Sequence, residues 1–273
     1  MEKSIFDRMI EKTLKTERGS IAYWVNDCPD QAYALVFLHG LSADHTLFEK
    51  QLAYFADRFH VLCWDAPAHG KSRPYADFSY RDAAEQLKTI LEREQIKRAV
   101  LIGQSMGGYV AQTFLKYHPA LVAGFIGIDT TPFGHAYYSK SDQWWLRQIE
   151  WMAHCYPHKA LVNAVAKSCT HTQYAYENML AALQSYTKDE VCHLMGVGYA
   201  GFLEENCDLA ISVPILLLIG EYDRTGKVQQ YCRAWQEKTG FPLHVVKNAA
   251  HNSNIDNYEQ VNNEIEKFIN TLP

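Results

Sequence analysis

Residues 98–117 of the chain have the sequence RAVLIGQSMGGYVAQTFLKY. The apolar run from Arg98 to Gly103 predicts a buried strand, and the stretch from Met106 to Tyr117 predicts a helix. Between them, residues 103–107 match the pattern G-x-S-x-G in the strand-to-helix context that this pattern requires. Its small residues allow the strand and the helix to approach closely. Ser105 is therefore expected to project above the end of a strand, beside the amides of a helix N-terminus.

The same alternation of strand and helix patterns continues along the chain. Strands are predicted at residues 20–26, 32–39, 59–64, 98–103, 121–128, 213–220 and 243–247, and an additional one around residues 13–16 pairs with the first. Helices are predicted at residues 46–56, 79–94, 106–117, 227–238 and 258–269. This order predicts an α/β fold, with a mostly parallel sheet of about eight strands and helices on both faces.

Residues 132–208 interrupt the alternation. They contain no convincing strand pattern and are rich in helix formers and aromatic residues. We expect a helical cap insertion at residues 132–208 over one edge of the sheet, and a core formed by residues 1–131 and 209–273. Trp144 and Trp145 in this insertion are candidates to line a substrate pocket, although aromatic residues at helical spacing more often pack in a core.

The composition limits the class of protein. Of 273 residues, 48% are hydrophobic and 21% are charged, which is close to the average for globular proteins and excludes wholesale disorder. The formal net charge is −5. This balance argues against a nucleic-acid partner, because nucleic-acid-binding proteins usually carry a basic excess.

Three further features bear on the compartment. Residues Met1 to Arg8 carry charges where a secretory signal needs an apolar run. The longest apolar run, residues 215–219, is too short to span a bilayer. The seven cysteines are scattered and form no C-x-x-C pair, as is typical of reduced thiols. We therefore expect a cytoplasmic protein without membrane insertion, either a monomer or a homodimer.

A serine nucleophile needs a base to take its proton, and His251 is the candidate among twelve histidines. It lies between the last predicted strand and the last predicted helix. Ligands of parallel sheets bind beyond the carboxyl ends of the strands, so a histidine in this loop is expected near Ser105. By contrast, His244 lies within a predicted strand and His118 ends a helix.

The acid that orients the imidazole has more than one candidate. Asp223 follows the predicted strand 213–220 and is expected at the same edge of the sheet. Asp129, after Ile128, is a rival at that edge, and Glu221 is a weaker one. A loop aspartate near a helix can also serve only as a cap. The sequence favours Asp223 and leaves the other two open.

Acyl transfer also needs two hydrogen-bond donors for the developing oxyanion. The predicted strand 32–39 runs into Gly40, where a backbone amide can turn toward the nucleophile. The donors are expected to be the backbone amides of Leu41 and Met106. His39 is expected beside the substrate pocket, where a structural role is favoured over a role in proton transfer.

The order of Ser105, Asp223 and His251, with His39-Gly40 early and DAPAHGKS at residues 65–72, resembles the α/β-hydrolase fold superfamily. The chain is most similar to the small esterase, haloperoxidase-like and carbon–carbon hydrolase members that carry a helical cap. The resemblance covers almost the whole chain except the insertion. It implies that the three residues are nucleophile, acid and base, and that the residue after His-Gly supplies the first oxyanion amide.

One segment departs from that superfamily. Its D-x-P-G-x-G-x-S pattern is matched at residues 65–72 except that Ala68 and His69 replace Gly-x. Apart from this loop change, the residues predict a serine hydrolase that forms an acyl-enzyme on a small-molecule substrate, an ester with an apolar group. This chemistry needs neither a metal nor an organic cofactor.

Other functions fit the same residues. Carbon–carbon bond hydrolysis, thioester hydrolysis and acyl transfer use the same machinery, and a ligand receptor on a hydrolase scaffold belongs to another class. A phosphate loop is rejected, because Gly70-Lys71-Ser72 lacks the earlier glycine of that motif. A metal site is not expected either, since Pro157 interrupts the helix that would align His154, Cys155 and His158.

Overall fold

The computed structural model of the protein describes residues 4–28 and 32–272. Its strands form a single sheet of eight, most of them parallel, with helices on both faces. This architecture confirms the α/β fold predicted from the sequence. The strands are β1 (Ile10–Lys15), β2 (Ser20–Val25), β3 (Ala34–Leu38), β4 (Val61–Trp64), β5 (Ala99–Gln104), β6 (Val122–Ile128), β7 (Ile215–Gly220) and β8 (Leu243–Val246).

Helices connect these strands and also fill the long segment between β6 and β7. They are α1 (Glu49–Phe55), α2 (Tyr80–Arg93), α3 (Met106–Tyr117), α4 (Lys140–Leu146), α5 (Ile149–His154), α6 (His158–Cys169), α7 (Gln173–Gln184), α8 (Lys188–Ala200), α9 (Phe202–Glu205), α10 (Val228–Thr239), α11 (Ser253–Asp256) and α12 (Tyr258–Ile269). Short 3₁₀ turns occur at Ile5–Arg8, His45–Phe48, Pro119–Leu121 and His135–Tyr137.

The strand order across the sheet is β1-β2-β4-β3-β5-β6-β7-β8. The pairs β1–β2 and β2–β4 are antiparallel, and all later pairs are parallel. The pairing predicted between residues 13–16 and 20–26 is present as β1 and β2. Because β3 to β8 run in one direction, the loops that follow them emerge at one edge of the sheet, where ligands bind in folds of this kind.

Two elements differ from the expected bounds for identifiable reasons. The helix predicted at residues 46–56 begins as the 3₁₀ turn His45–Phe48, and regular α-helix starts only after it. The strand predicted from Val213 begins at Ile215. Pro214 has no backbone N–H, so it cannot donate to the strand ladder.

Alternate residues of the central strands pack on opposite faces of the sheet. In β3, Leu35 and Phe37 contact the layer that contains α1 and α12, whereas Val36 and Leu38 contact the layer of α2 and α3. All four side chains are completely buried. A continuous apolar run of this kind is typical of parallel strands that are covered on both faces. The site loops therefore emerge from a rigid central layer.

The segment between β6 and β7 is helical. Helices α4 to α9 occupy it, and residues 129–214, all of which the structure describes, contain no strand. Thr187 begins α8 with a reciprocal capping box, in which its hydroxyl and the side chain of Glu190 each accept a backbone N–H of the other residue. Within residues 4–28 and 32–272, no helix is long and apolar enough to cross a membrane.

Candidate active site

Ser105 is the single residue between β5 and α3. Its backbone dihedral angles are φ +49° and ψ −113°, a conformation that is strained for a residue other than glycine. Its N–H donates a hydrogen bond to the carbonyl oxygen of Ile128 at the end of β6 (2.9 Å), which holds the sharp turn in place. Strained residues of this kind cluster at functional sites, so the conformation of the turn identifies Ser105 as a candidate functional residue.

The turn requires glycine on both sides of the serine. A Cβ atom on Gly107 would lie 1.9 Å from the carbonyl oxygen of Leu38, at the end of β3. A Cβ atom on Gly103 would lie 2.5 Å from the carbonyl oxygen of Gly107. Both distances are far inside van der Waals contact. The two glycines of the G-x-S-x-G motif thus let α3 begin directly against the ends of β3 and β5.

Three side chains from three loops meet at this edge of the sheet. Nδ1 of His251 lies 2.9 Å from Oδ2 of Asp223, and Nε2 lies 2.9 Å from Oγ of Ser105. A carboxylate can only accept, so Nδ1–H donates to Asp223 and Nε2 accepts the hydrogen bond of the serine hydroxyl. This arrangement is able to remove the hydroxyl proton and to stabilise the imidazolium that results.

The electrostatics of the site favour the charged imidazole. Burial alone lowers the pKa of His251, because it disfavours the imidazolium. The negative charge of Asp223 and its hydrogen bond to the imidazole more than offset this effect and raise the pKa above its usual value. The N–H of Thr225 donates to Oδ1 of Asp223 (2.8 Å) and holds that carboxylate in its orientation. His251 is therefore a better proton acceptor than an isolated buried imidazole.

The two other candidate acids are engaged elsewhere. The carboxylate of Asp129 accepts from the backbone N–H of Gly220 (2.7 Å) and from both the N–H (3.1 Å) and the hydroxyl of Ser253. It joins the end of β7 to the start of α11. Glu221 lies near the surface, where it accepts from Nζ of Lys247 (3.0 Å). Neither of them accepts the hydrogen bond of His251 Nδ1–H, which goes to Asp223.

Two backbone amides are available near Ser105. Met106 is the first residue of α3, and an N–H at that position has no partner within its own helix. The N–H of Leu41 has no backbone acceptor among the residues that the structure describes. Leu41 lines the same small cavity as Ser105, and a Cβ atom on the preceding Gly40 would lie 3.3 Å from the Cβ atom of Ser105. These two groups can stabilise negative charge on a substrate oxygen.

Ser105 and His251 both line a cavity of about 30 Å³. We call it the serine pocket, and the lining residues that matter here are Leu41, Gln104, Ser105, Tyr199, His251 and Asn252. No pattern in the sequence points to Gln104 or Asn252. The only indication of their role in the sequence is their position, because each directly adjoins a candidate residue.

A second cavity of about 450 Å³ lies beside the serine pocket. We call it the aromatic chamber, and it is formed mainly by apolar side chains, including Tyr109, Tyr138, Trp145, Ile149, Phe202 and Val228. Tyr199 lines both cavities, and no other described residue does. Nothing in the sequence distinguishes Tyr199 from other aromatic residues in the helical segment.

The structure separates the three expected pocket residues. Trp145 lines the aromatic chamber. Trp144 lines neither cavity, although both tryptophans are equally exposed, at 54%. His39 also lines neither cavity, since both ring nitrogens are used by the backbone. Its Nδ1 donates to the carbonyl oxygen of Gly40 (2.8 Å), and its Nε2 accepts from the N–H of Ala66 (2.9 Å).

No metal centre is evident in residues 4–28 and 32–272, where no group of three or more His, Cys, Asp or Glu side chains is arranged to hold a metal ion. His154 ends α5 and His158 begins α6, so the two lie on different helices. All seven cysteines are free thiols.

A comparison with known families identifies one match. The family model described as "Alpha/beta hydrolase family" matches residues 35–264, which is most of the chain and includes all the residues that form the serine pocket.

Individual relatives are more distant. A 2-(acetamidomethylene)succinate hydrolase of Mesorhizobium japonicum is 28% identical over 100 residues, which are 36% of each chain. An sn-1-specific diacylglycerol lipase of Danio rerio is 36% identical over 133 residues, 47% of this chain and 42% of the relative. The chain thus matches less than half the length of these curated relatives.

Solved structures show the likeness over the whole chain. A thermophilic esterase from Thermogutta terrifontis superposes with a TM-score of 0.75, covering 96% of this chain and 98% of the esterase. The two sequences are 20% identical. A likeness at this level of identity establishes the shared fold.

Proposed function

This chain belongs to the alpha/beta hydrolase family, and on that premise we propose that it is a serine hydrolase that cleaves a carboxylic ester through an acyl-enzyme. Ser105 is the nucleophile, His251 the general base and Asp223 the acid that orients it. The observation that carries the proposal is the continuous pair of hydrogen bonds, each 2.9 Å long, from Ser105 Oγ to His251 and from His251 to Asp223.

In the first half of the reaction, Oγ of Ser105 attacks the ester carbonyl carbon and its proton passes to Nε2 of His251. The carbonyl π bond opens, and the oxygen becomes an oxyanion that accepts hydrogen bonds from the amides of Leu41 and Met106. The tetrahedral intermediate then expels the alkoxide, which takes the proton from Nε2. The products of this half are a free alcohol and an acyl group bound to Ser105.

In the second half, Nε2 of His251 takes a proton from water, and the resulting hydroxide attacks the acyl carbon. The same two amides hold the second oxyanion. Ser105 leaves with the proton from Nε2, and the carboxylic acid is released. Throughout both halves, the buried carboxylate of Asp223 stabilises the imidazolium and keeps Nδ1 protonated.

Residues 132–208 act, in this proposal, as a cap that covers the site, on a core of residues 1–131 and 209–273. Side chains of α8, including Tyr199, line the serine pocket, which supports a role of this segment in substrate contact. The free thiols support a reducing compartment such as the cytoplasm. The substrate is a small molecule with an apolar group, and neither a metal nor an organic cofactor takes part.

Cleavage of a carbon–carbon bond, a thioester or an acyl-transfer reaction remains compatible with the same triad. The names of the relatives include a diacylglycerol lipase and esterases, which supports the ester as the first choice. Turnover of a panel of p-nitrophenyl esters, acyl thioesters and vinylogous diketones ranks these reactions.

The Ser105→Ala variant tests the proposal directly, with p-nitrophenyl acetate and butyrate as substrates. We expect turnover to fall on the order of 10⁴-fold or more, because the nucleophile and the base act as a unit. Ser168→Ala, which alters an exposed serine on α6, is the matched control and should keep full activity. Wild-type turnover by the Ser105 variant would show that the nucleophile assignment is wrong.

A fluorophosphonate separates an enzyme from a receptor on the same scaffold. We expect it to label Ser105 stoichiometrically, as mass spectrometry of the labelled peptide would show, and to abolish ester turnover. Labelling of Ser105 in a chain that hydrolyses no member of the substrate panel would instead support a ligand receptor.

A further inference from the structure

The serine pocket is too small for most esters. Its volume of about 30 Å³ has room for roughly two water molecules, since one needs about 10–15 Å³ of such space. Ser105 and His251 occupy one wall, and side chains of the helical segment, Met195 among them, close the other side. A substrate with more than a few atoms beyond its ester group must therefore extend into another space.

The aromatic chamber is the neighbouring space of suitable size. Its volume of about 450 Å³ falls within the range of small-molecule binding sites, roughly 300–1,000 Å³. Its exposed lining is mostly apolar. The charged groups in its wall are Lys227 and Asp142, which form an ion pair with each other (2.6 Å). The chamber thus offers apolar contact without a net charge to recognise an ionic ligand.

Tyr199 forms the wall between the two cavities, since it alone lines both. It lies in the last turn of α8, and the backbone there is fixed. The hydroxyl of Tyr80 donates to the carbonyl oxygen of Gly198 (2.6 Å), and Leu41 packs so closely on Gly198 that a Cβ atom there would lie 2.5 Å from it. Opening of this wall must therefore come from rotation of the Tyr199 side chain.

Within the described part of the chain, no hydrogen bond fixes the hydroxyl end of that side chain. No hydrogen bond joins the hydroxyl of Tyr199 to any other described residue, in contrast to the hydroxyls of Tyr80, Tyr109 and Tyr138. Burial raises the pKa of Tyr199 above its usual value, so the hydroxyl stays neutral. Rotation of the side chain therefore breaks no hydrogen bond and moves no charge.

We propose that the aromatic chamber binds the long apolar group of the substrate, an uncharged chain or ring, and that Tyr199 is the gate through which this group reaches the ester bond at Ser105. This inference rests on the proposed function and adds the substrate class to it. When the gate is closed, only the serine pocket is accessible, and it accommodates small acyl groups alone. Open, it joins the two cavities into one site, which selects esters with a long apolar group.

Two variants change the chamber in opposite ways. Tyr199→Ala removes the wall, and Ile149→Trp fills part of the chamber from α5. In the acyl arm, the measurement is the ratio of kcat/KM for p-nitrophenyl octanoate to that for p-nitrophenyl acetate. In the alcohol arm, it is the ratio for octyl acetate to methyl acetate, which places the long chain on the alcohol side. Tyr156→Ala, which truncates an exposed tyrosine outside both cavities, is the matched control.

We expect the ratio to rise about tenfold in Tyr199→Ala and to fall about tenfold in Ile149→Trp, in either the acyl arm or the alcohol arm. Pocket contacts of this size change the preference between two substrates by such factors. The ratio stays unchanged in Tyr156→Ala. The proposal is overturned if neither arm shows these opposite changes, for example if the ratio is unchanged or if it shifts in the same direction in Tyr199→Ala and Ile149→Trp. Thermal melting verifies that each variant is folded, and Met152→Trp, another chamber residue, replaces Ile149→Trp if that variant does not fold.

Failure of the proposed function is recognised separately. It shows as a wild-type chain that hydrolyses neither acetate nor octanoate and whose Ser105 does not react with a fluorophosphonate. The chamber is then tested by octanol binding, measured by isothermal titration calorimetry. Saturable binding by the wild type that is lost in Ile149→Trp supports the chamber as the apolar site, and absence of saturable binding overturns it.

Discussion

The side-chain amide of Gln104 donates a hydrogen bond to the backbone carbonyl oxygen of His251 (2.8 Å). Gln104 immediately precedes Ser105, so this bond ties the nucleophile turn to the loop that carries the base. The same amide also lies 3.4 Å from Oδ1 of Asn252. The separation of Ser105 and His251 is therefore set by a direct connection as well as by the sheet.

Replacement of Gln104 by Met keeps the volume of this side chain but removes the connection. We expect kcat for p-nitrophenyl acetate to fall roughly 10- to 100-fold, since small displacements of reacting groups have effects of that size. Gln112→Met is the matched control, because Gln112 is also buried and also donates to a backbone carbonyl, that of Thr131 (2.9 Å). An equal loss of activity in both variants would contradict a positioning role for Gln104.

Asp223→Asn tests the electrostatics of the base. The charge of Asp223 is the largest cause that raises the pKa of His251, so this pKa is expected to fall in the variant. The acid limb of the kcat/KM profile for p-nitrophenyl acetate then moves to lower pH, while kcat falls by on the order of 10⁴-fold. Asp189→Asn, at an exposed carboxylate, should leave the profile in place. An acid limb that does not move would contradict this account.

Asp129 is expected to make stability depend on pH. Burial, followed by the neighbouring charge of Asp223, raises its pKa, so the folded chain keeps a proton that the unfolded chain releases. The contribution is full below the ordinary carboxyl pKa of about 4 and is lost as the pH rises through the raised pKa, at up to about 1.4 kcal/mol per pH unit.

The measurement is Tm as a function of pH for the wild type and for Asp129→Asn, which keeps the shape of the side chain. The asparagine variant lacks the titrating proton, so the wild type should lose stability relative to it as the pH rises from about 4 toward neutrality. A Tm difference that is constant over this range would show that Asp129 does not titrate between those values.

Gly107→Ala should strongly destabilise the fold. The added Cβ atom meets the carbonyl oxygen of Leu38 at 1.9 Å, and neither backbone can retreat from the central layer, so a loss of about 3 kcal/mol or more is expected. Gly226→Ala places the same methyl group in open space, but at φ +50°, and should cost about 1–2 kcal/mol. Urea unfolding compares the two variants, and a smaller loss for Gly107→Ala would contradict the packing argument.

The parts of the site that lie on the sheet could be predicted from the sequence. Strand runs, the G-x-S-x-G turn and the rule that parallel strands end at one edge were sufficient to place Ser105, Asp223 and His251 near one another. The end of α3 also follows from the sequence, because Pro119 comes two residues after Tyr117 and a proline does not continue a helix. The choice between Asp223 and Asp129 depends on loop geometry, which no pattern encodes.

The parts that lie on the helical segment could not be predicted. Whether a tryptophan of α4 faces a cavity depends on how α4 packs against α8, and this is decided by tertiary contacts rather than by spacing. Trp144 and Trp145 are adjacent in sequence, yet only Trp145 lines the chamber. Likewise, the burial of His39 against the loop after β4 depends on Ala66, which is distant in the chain.

Strands β6 and β7 are immediate neighbours in the sheet, although the chain between them runs from Asp129 to Pro214. The polypeptide thus leaves the carboxyl end of β6 and re-enters the sheet at the amino end of the neighbouring parallel strand β7, without passing any other strand. Insertions, deletions and replacements in this segment can therefore accumulate during evolution while the order of the eight strands stays intact. New substrate preferences can then arise on an inherited set of reacting groups, with little disturbance to folding.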